Sequence, residues 1–184
     1  VTTPLPRGPA GPRPDTGPVF GTPGGFRFDG AERWVWWGQD ENGEDVVATR
    51  GGRLVTFGSA AECRAAFPVL TIASGDPAVS GEEPDPVAAD LGPAQEWVRG
   101  QRLSVPLSSA LDLWNWGIDA AYSTGQSFAQ RARRHDRCYD KLMAHRSPYL
   151  FGLDEYRPVW SAGEIAVLRQ TLGRAVHVLR AALA

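Results

Sequence analysis

Between Phe26 and Phe57 the apolar residues come in short runs: "FRF" (26–28), "RWVWWG" (33–38), "DVVAT" (45–49) and "RLVTF" (53–57). Aromatic and β-branched runs bounded by glycine, asparagine and aspartate read as strands. Asn42-Gly43 marks a hairpin, because both residues accept positive φ at little cost. "RGG" at 50–52 supplies the next reversal. These signals predict an antiparallel meander. Within it Trp34 and Trp36 point to one face, and Val35 and Trp37 to the other. One pair covers the main core, so the other needs a helix over it or stays partly exposed. Ser59 with Glu62 fits a capping box for a short helix that Pro68 ends. "VLTIA" at 69–73 reads as a further strand.

After residue 106 the apolar period becomes helical. Ser109 with Asp112 predicts a cap for a helix running to about Tyr122, with Gly125 as its stop. A second helix is expected from about Phe128 to Ala144, ended by Ser147-Pro148. The third has the clearest entry. Trp160, Ser161, Glu164 and Ile165 occupy N′, N-cap, N3 and N4, a capping box with a hydrophobic staple. Ile165, Leu168, Leu172, Val176, Leu179 and Leu183 then form its apolar stripe.

The remaining stretches differ in composition. Residues 1–25 hold seven prolines and six glycines and read as a flexible tail. Residues 74–94 are acidic and proline-rich without one basic side chain. Residues 74–105 are therefore expected to be a linker, with a short helix or turn at 95–99. The expected fold class is α+β: a sheet lobe with one short helix over 26–73, then a three-helix lobe over 106–184. A chain of 184 residues suits one such domain.

Net charge is −2, which gives bulk nucleic-acid binding no support. Its distribution says more. Residues 1–98 hold 7 basic and 14 acidic side chains; residues 99–184 hold 12 basic and 7 acidic. Cys63 and Cys138 are far apart, each inside a helical pattern, so buried free thiols are expected. No signal-peptide-like or long apolar run occurs, and a cytoplasmic location is expected.

The segment "LDLWNWGID" (111–119) concentrates the candidate chemistry. At 100° per residue Trp114 and Trp116 stand about 200° apart, so they cannot form one aromatic clamp. Asp112, Asn115 and Asp119 form a polar stripe beside Trp116. The two carboxylates lie about 10 Å apart along the axis, wide for shared acid–base work. Capping and ion pairing with arginines, or a partner-binding stripe, are the readings left. His135, Cys138 and His145 are spaced too widely for a compact metal site on one straight helix. No metal or cofactor is expected, and no dinucleotide, phosphate-loop or nucleophile-elbow motif occurs.

Two charged groups complete the candidates. Asp40, Glu41, Glu44 and Asp45 at the hairpin tip and Glu82, Glu83 and Asp85 in the linker offer carboxylates to a basic partner, with Asp112, Trp116 and Asp119 beside them. Arg131, Arg133, Arg134, Arg137 and Lys141 give an arginine-rich helix. It reads as a solvated face, or as a phosphate-binding one in a small enzyme or regulator. An adaptor using the proline-rich tail is a further alternative.

Leu111, Trp114 and Asn115, followed by Tyr139, Asp140, Lys141 and Leu142 and by the closing "SAGEIAVLRQTLGRAVHVLRAAL", resemble immunity proteins of bacterial polymorphic and contact-dependent toxin systems. The likeness spans about residues 107–183 and rests on short motifs. "MAHRSPYLFGLDEYR" after Lys141 departs from the glycine- and asparagine-rich segment of that pattern. The resemblance implies a cytoplasmic, non-enzymatic protein that binds and blocks a toxin domain, with a basic nuclease as one such toxin. It carries over no catalytic residues.

Overall fold

The computed structural model describes residues 15, 17–67, 86–128 and 132–184. Its first elements are β1 (Phe20–Phe28), β2 (Ala31–Gln39), β3 (Asp45–Val47), β4 (Thr49–Arg50), β5 (Arg53–Leu54) and α1 (Ala60–Ala66). There follow β6 (Ala89–Asp90), α2 (Gly92–Val98), α3 (Leu107–Thr124), α4 (Arg133–Arg146), a 3-10 turn (Pro148–Phe151) and α5 (Ala162–Leu183). The class is α+β, with the sheet first and the long helices last.

The main sheet runs β3-β2-β1-β6, and β4 and β5 form a separate two-stranded ribbon. β1, β2 and β3 are the expected antiparallel meander, but β6 lies parallel to β1. The sheet is therefore mixed. The β1–β2 turn is Asp29-Gly30, with φ of 48° and 76°. Positive φ at both central residues matches the right-handed twist of the flanking strands.

Alternation along β2 divides two cores as anticipated. Val35 and Trp37 join Phe26, Phe28, Leu113, Trp114, Leu168 and Leu172 on the helical side. Trp34 and Trp36 join Ala48 and Cys63 on the other side, where α1 covers them. Trp36 stacks on Phe67 at the end of α1, with centroids 5.2 Å apart. Ser59 accepts the Glu62 N–H as N-cap of α1. Both Cys63 and Cys138 are buried free thiols.

Four expectations need correcting. The tail does not extend to residue 25, because β1 begins at Phe20 and pairs from there with Gln39. Its glycines are spaces for indoles: a Cβ on Gly24 would lie 2.8 Å from the Trp116 ring, and one on Gly25 would lie 2.7 Å from the Trp34 ring. Within 74–105 the short helix or turn expected at 95–99 is α2, which already starts at Gly92, and β6 lies before it where only linker was expected. Helix α3 starts at Leu107 with Pro106 as N-cap and no side-chain cap. Ser109 instead accepts the N–H of Ala94, an unpaired first-turn donor of α2, at 3.1 Å. Helix α4 starts at Arg133 rather than Phe128, which is a loop residue packed on the core.

The remaining boundaries follow their local signals. Gly125 closes α3 in the left-handed conformation at φ 70°. Ser161 and Glu164 form the complete capping box of α5. Leu168, Leu172, Val176 and Leu179 are buried along α5, with Ile165 and Leu183 partly so. Gly117 marks a tight α3–α5 approach, since an added Cβ would lie 2.5 Å from the Ala175 Cβ. The strand expected at 69–73 and the tail residues 1–14 lie outside the described residues.

Candidate functional site

The "LDLWNWGID" stripe is the first place to look, and its side chains are engaged within the chain. Trp114 meets Tyr139 of α4 edge-on, centroids 5.5 Å apart. Trp116 meets Phe26 of β1 at 4.8 Å. The helical arithmetic thus separates the two indoles onto α4 and onto the sheet. Asp112 pairs with Arg146 at 2.8 Å. Tyr139 Oη donates to Asn115 Oδ1 at 3.0 Å. Trp37 Nε1 donates to Asp119 Oδ2 at 3.0 Å. Burial pushes the Asp119 carboxyl up to about 7, against the lowering effect of the Trp37 hydrogen bond, and Asp45 adds to the rise. Trp116 and Asp119, both half-buried, thus face the sheet.

The acidic hairpin is similarly divided. Asp40 accepts from the backbone of Asn42 and Glu44 and from Tyr122 Oη, so it organises its own turn and ties it to α3. Those hydrogen bonds hold its carboxyl below the ordinary range, against desolvation, the largest single effect. Glu41 and Asp45 are exposed and Glu44 is half-buried. Glu82, Glu83 and Asp85 lie outside the described residues.

One charged node escaped the sequence reasoning. Asp29, at the β1–β2 turn, receives a two-pronged contact from Arg180, both at 2.8 Å, and bonds from Arg99 and Gln95. Arg180 chiefly, then Gln95 and Arg99, hold its carboxyl at about 2 despite desolvation. This fastens the hairpin to α2 and α5. The Asp-Gly pair between "FRF" and "RWVWWG" was the available signal.

The face made by α4, the 3-10 turn and the start of α5 is different. Pro148 cannot continue α4, so the chain leaves in one 3-10 turn closed by Gly152 at φ 68°. His145 Nδ1 donates to the Tyr156 carbonyl at 2.9 Å. Lys141 donates to the Val159 carbonyl, pairs with Glu164, both at 2.8 Å, and lies 5.3 Å above the Trp160 ring. Lys141 chiefly holds the Glu164 carboxyl at about 2. The segment is thus anchored at its base while its middle turns outward. Tyr149 is 74% exposed, Leu150 61%, Phe151 45% and Leu153 40%.

Two shallow depressions flank this segment and share Arg133 and Arg137 as a wall. One, of about 390 Å³, adds Asp136, Asp140, Lys141, Ala144, Phe151, Leu153 and Tyr156. The other, of about 410 Å³, adds Arg134, Ser161, Gly163, Glu164 and Val167. Arg133, Arg134 and Arg137 are exposed, and none makes an ion pair among the described residues. Neither depression contains Asp112 or Asp119. Arg131 lies outside the described residues.

Among the described residues no three or more His, Cys, Asp and Glu side chains are grouped to hold a metal ion. No described helix is long and apolar enough to cross a membrane. No family model, curated protein or solved structure matches this chain.

Proposed function

We propose that this chain is a cytoplasmic, non-catalytic immunity protein that binds a bacterial toxin domain and blocks it by occlusion. The observation that carries the binding reading is the anchored run Tyr149, Leu150, Phe151 and Leu153, exposed beside arginines without ion-pair partners. Contiguous exposed apolar side chains rimmed by polar ones mark interaction sites. Aromatic residues and arginine are also the types that dominate interface energetics. The toxin as partner is supported by the resemblance over residues 107–183. Blocking needs roughly 800 Å² of surface on each partner and no chemistry of its own.

The phosphate-binding enzyme reading asks for arginines and Asp112 or Asp119 in one deep pocket. Asp112 is bound to Arg146 and Asp119 to Trp37, away from both depressions. This favours binding over acid–base work. The proposal is tested by co-expressing the chain with the product of the adjacent gene in a bacterial host. The expected result is rescue of growth and a stable complex on gel filtration. A neighbour that is harmless alone and does not bind would sink the idea.

A further inference from the structure

We infer that the face formed by Arg133, Arg134 and Arg137 with Phe151 and Leu153 receives an acidic, apolar-flanked segment of a partner protein. The inference rests on the binding reading above and gives the contact a chemistry. Several arginines elsewhere in the chain have internal partners: Arg99 and Arg180 hold Asp29, Arg102 holds Glu96, and Arg146 holds Asp112. The three on the first turn and a half of α4 have none among the described residues. Glu164, the nearest carboxylate in their depression, is already taken by Lys141 and by the Ser161 N–H. In that depression three arginines thus face one carboxylate, although the chain as a whole carries −2.

Arginine presents a planar fork that matches a carboxylate with two parallel hydrogen bonds. Three such forks around one depression suit a partner bearing two or three carboxylates. The adjoining depression, sharing Arg133 and Arg137, has Ala144, Phe151, Leu153 and Tyr156 as its apolar lining and Asp136, Asp140 and Lys141 as its charged lining. An apolar side chain next to those carboxylates would fill it. A nucleic-acid strand fits less well, because its continuous phosphate backbone would meet Asp136 and Asp140 in this adjoining depression, where a partner segment places an uncharged side chain instead. Aromatics are also not interleaved with the arginines as on a stacking platform. The partner surface met here is thus acidic, whereas the hairpin residues Glu41 and Asp45 would meet a basic one.

The test uses the full chain and fluorescein-labelled short peptides alternating Glu with Leu and Phe, read by anisotropy at low and at physiological salt. Peptides with Gln or Lys replacing Glu, and a single-stranded oligonucleotide of equal length, serve as the comparison probes. The Glu peptide should bind at least about tenfold more tightly than the Gln peptide, a difference that shrinks with salt. The Arg133→Gln/Arg134→Gln/Arg137→Gln variant should lose that tenfold, and Phe151→Ser/Leu153→Ser should weaken the Glu and Gln peptides alike. Arg50→Gln/Arg53→Gln, two exposed arginines elsewhere, should change nothing. Equal binding of the Glu and Gln peptides, stronger binding of the Lys peptide or the oligonucleotide, or no peptide binding would each overturn the inference. None of those outcomes touches the co-expression test, so the two readings fail separately.

Discussion

Helix α3 and the first turns of helix α4 use their polar side chains in opposite ways. On α3, Asp112, Asn115 and Asp119 each have an intramolecular partner: Arg146, Tyr139 and Trp37. On α4, Arg133, Arg134 and Arg137 have no ion pair among the described residues. The more conspicuous sequence segment is thus the joint of the fold, and the blander one is the free face. Polar groups enclosed in protein must be paired, because an unpaired one costs about 1–3 kcal/mol. A solvated arginine carries no such obligation, so its free valence remains for a partner.

The sharpest way to break this contrast is to truncate aromatics on each side of it. Trp114→Ala should cost about 3–5 kcal/mol, because the ring is 1% exposed and leaves a cavity against Tyr139. Phe151→Ala should change stability by less than about 0.5 kcal/mol, as expected for an exposed position. Urea midpoints of the two variants measure this. Comparable losses would mean that the 148–153 segment belongs to the core and is no interaction surface.

Gly117→Ala comes next, with a cost of about 1–3 kcal/mol from overpacking. The added methyl would lie 2.5 Å from the Ala175 Cβ and 2.9 Å from its Cα, so the α5 backbone must move. A thermal midpoint unchanged from the parent would show that α3 and α5 do not approach as described.

Asp119 supplies a pH-dependent test of the same joint. Its folded carboxyl titrates near 7 while an unfolded aspartate titrates near 3.8, so the folded state holds the extra proton. The neutral-form stability is complete below about pH 3.8 and declines as pH rises to about 7. The loss is a few kcal/mol in order of magnitude. Asp119→Asn keeps an acceptor for the Trp37 indole and cannot ionise. It should match the parent near pH 4 and be the more stable protein above pH 7. Equal stabilities at pH 8 would place Asp119 in solvent, and the α3 stripe would again be available to a partner. Asp29 runs the other way: its folded value near 2 adds stability that is present above about pH 3.8 and fades as pH falls through 2. With Arg180 and Asp29 both partly exposed, screening limits that contribution to about 1 kcal/mol.

What the chain announced in advance follows the same division between local and non-local causes. The capping box at Ser161 and Glu164, the stop at Gly125 and the split of Trp34 and Trp36 from Val35 and Trp37 depend on residues near in sequence. All three were legible. Gly24 and Gly25 were not legible as strand, because what makes glycine suitable there is the indole of Trp116, 92 positions away, and that of Trp34. Ser109 looked like the cap of its own helix because nothing nearby reveals that α2 needs an acceptor. The 148–159 face has no period at all. Its apolar residues are exposed because Pro148 ends α4 while His145 and Lys141 pin the segment's far end, a condition no sequence window contains.

The smallest effect is the most discriminating. Arg133→Gln, Arg134→Gln and Arg137→Gln together should shift stability by less than about 0.5 kcal/mol, since no ion pair among the described residues is lost. By contrast, Arg146→Gln removes the partner of Asp112, whose side chain is 20% exposed, and should cost up to about 1 kcal/mol. Both can be read from thermal midpoints at low and high salt, where the Arg146 effect should shrink and the triple variant should stay flat. A clear loss in the triple variant would mean that those arginines have internal work, and the distinction between a committed α3 and a free start of α4 would collapse. A flat response, together with a lost complex, would separate folding from binding at the level of three side chains.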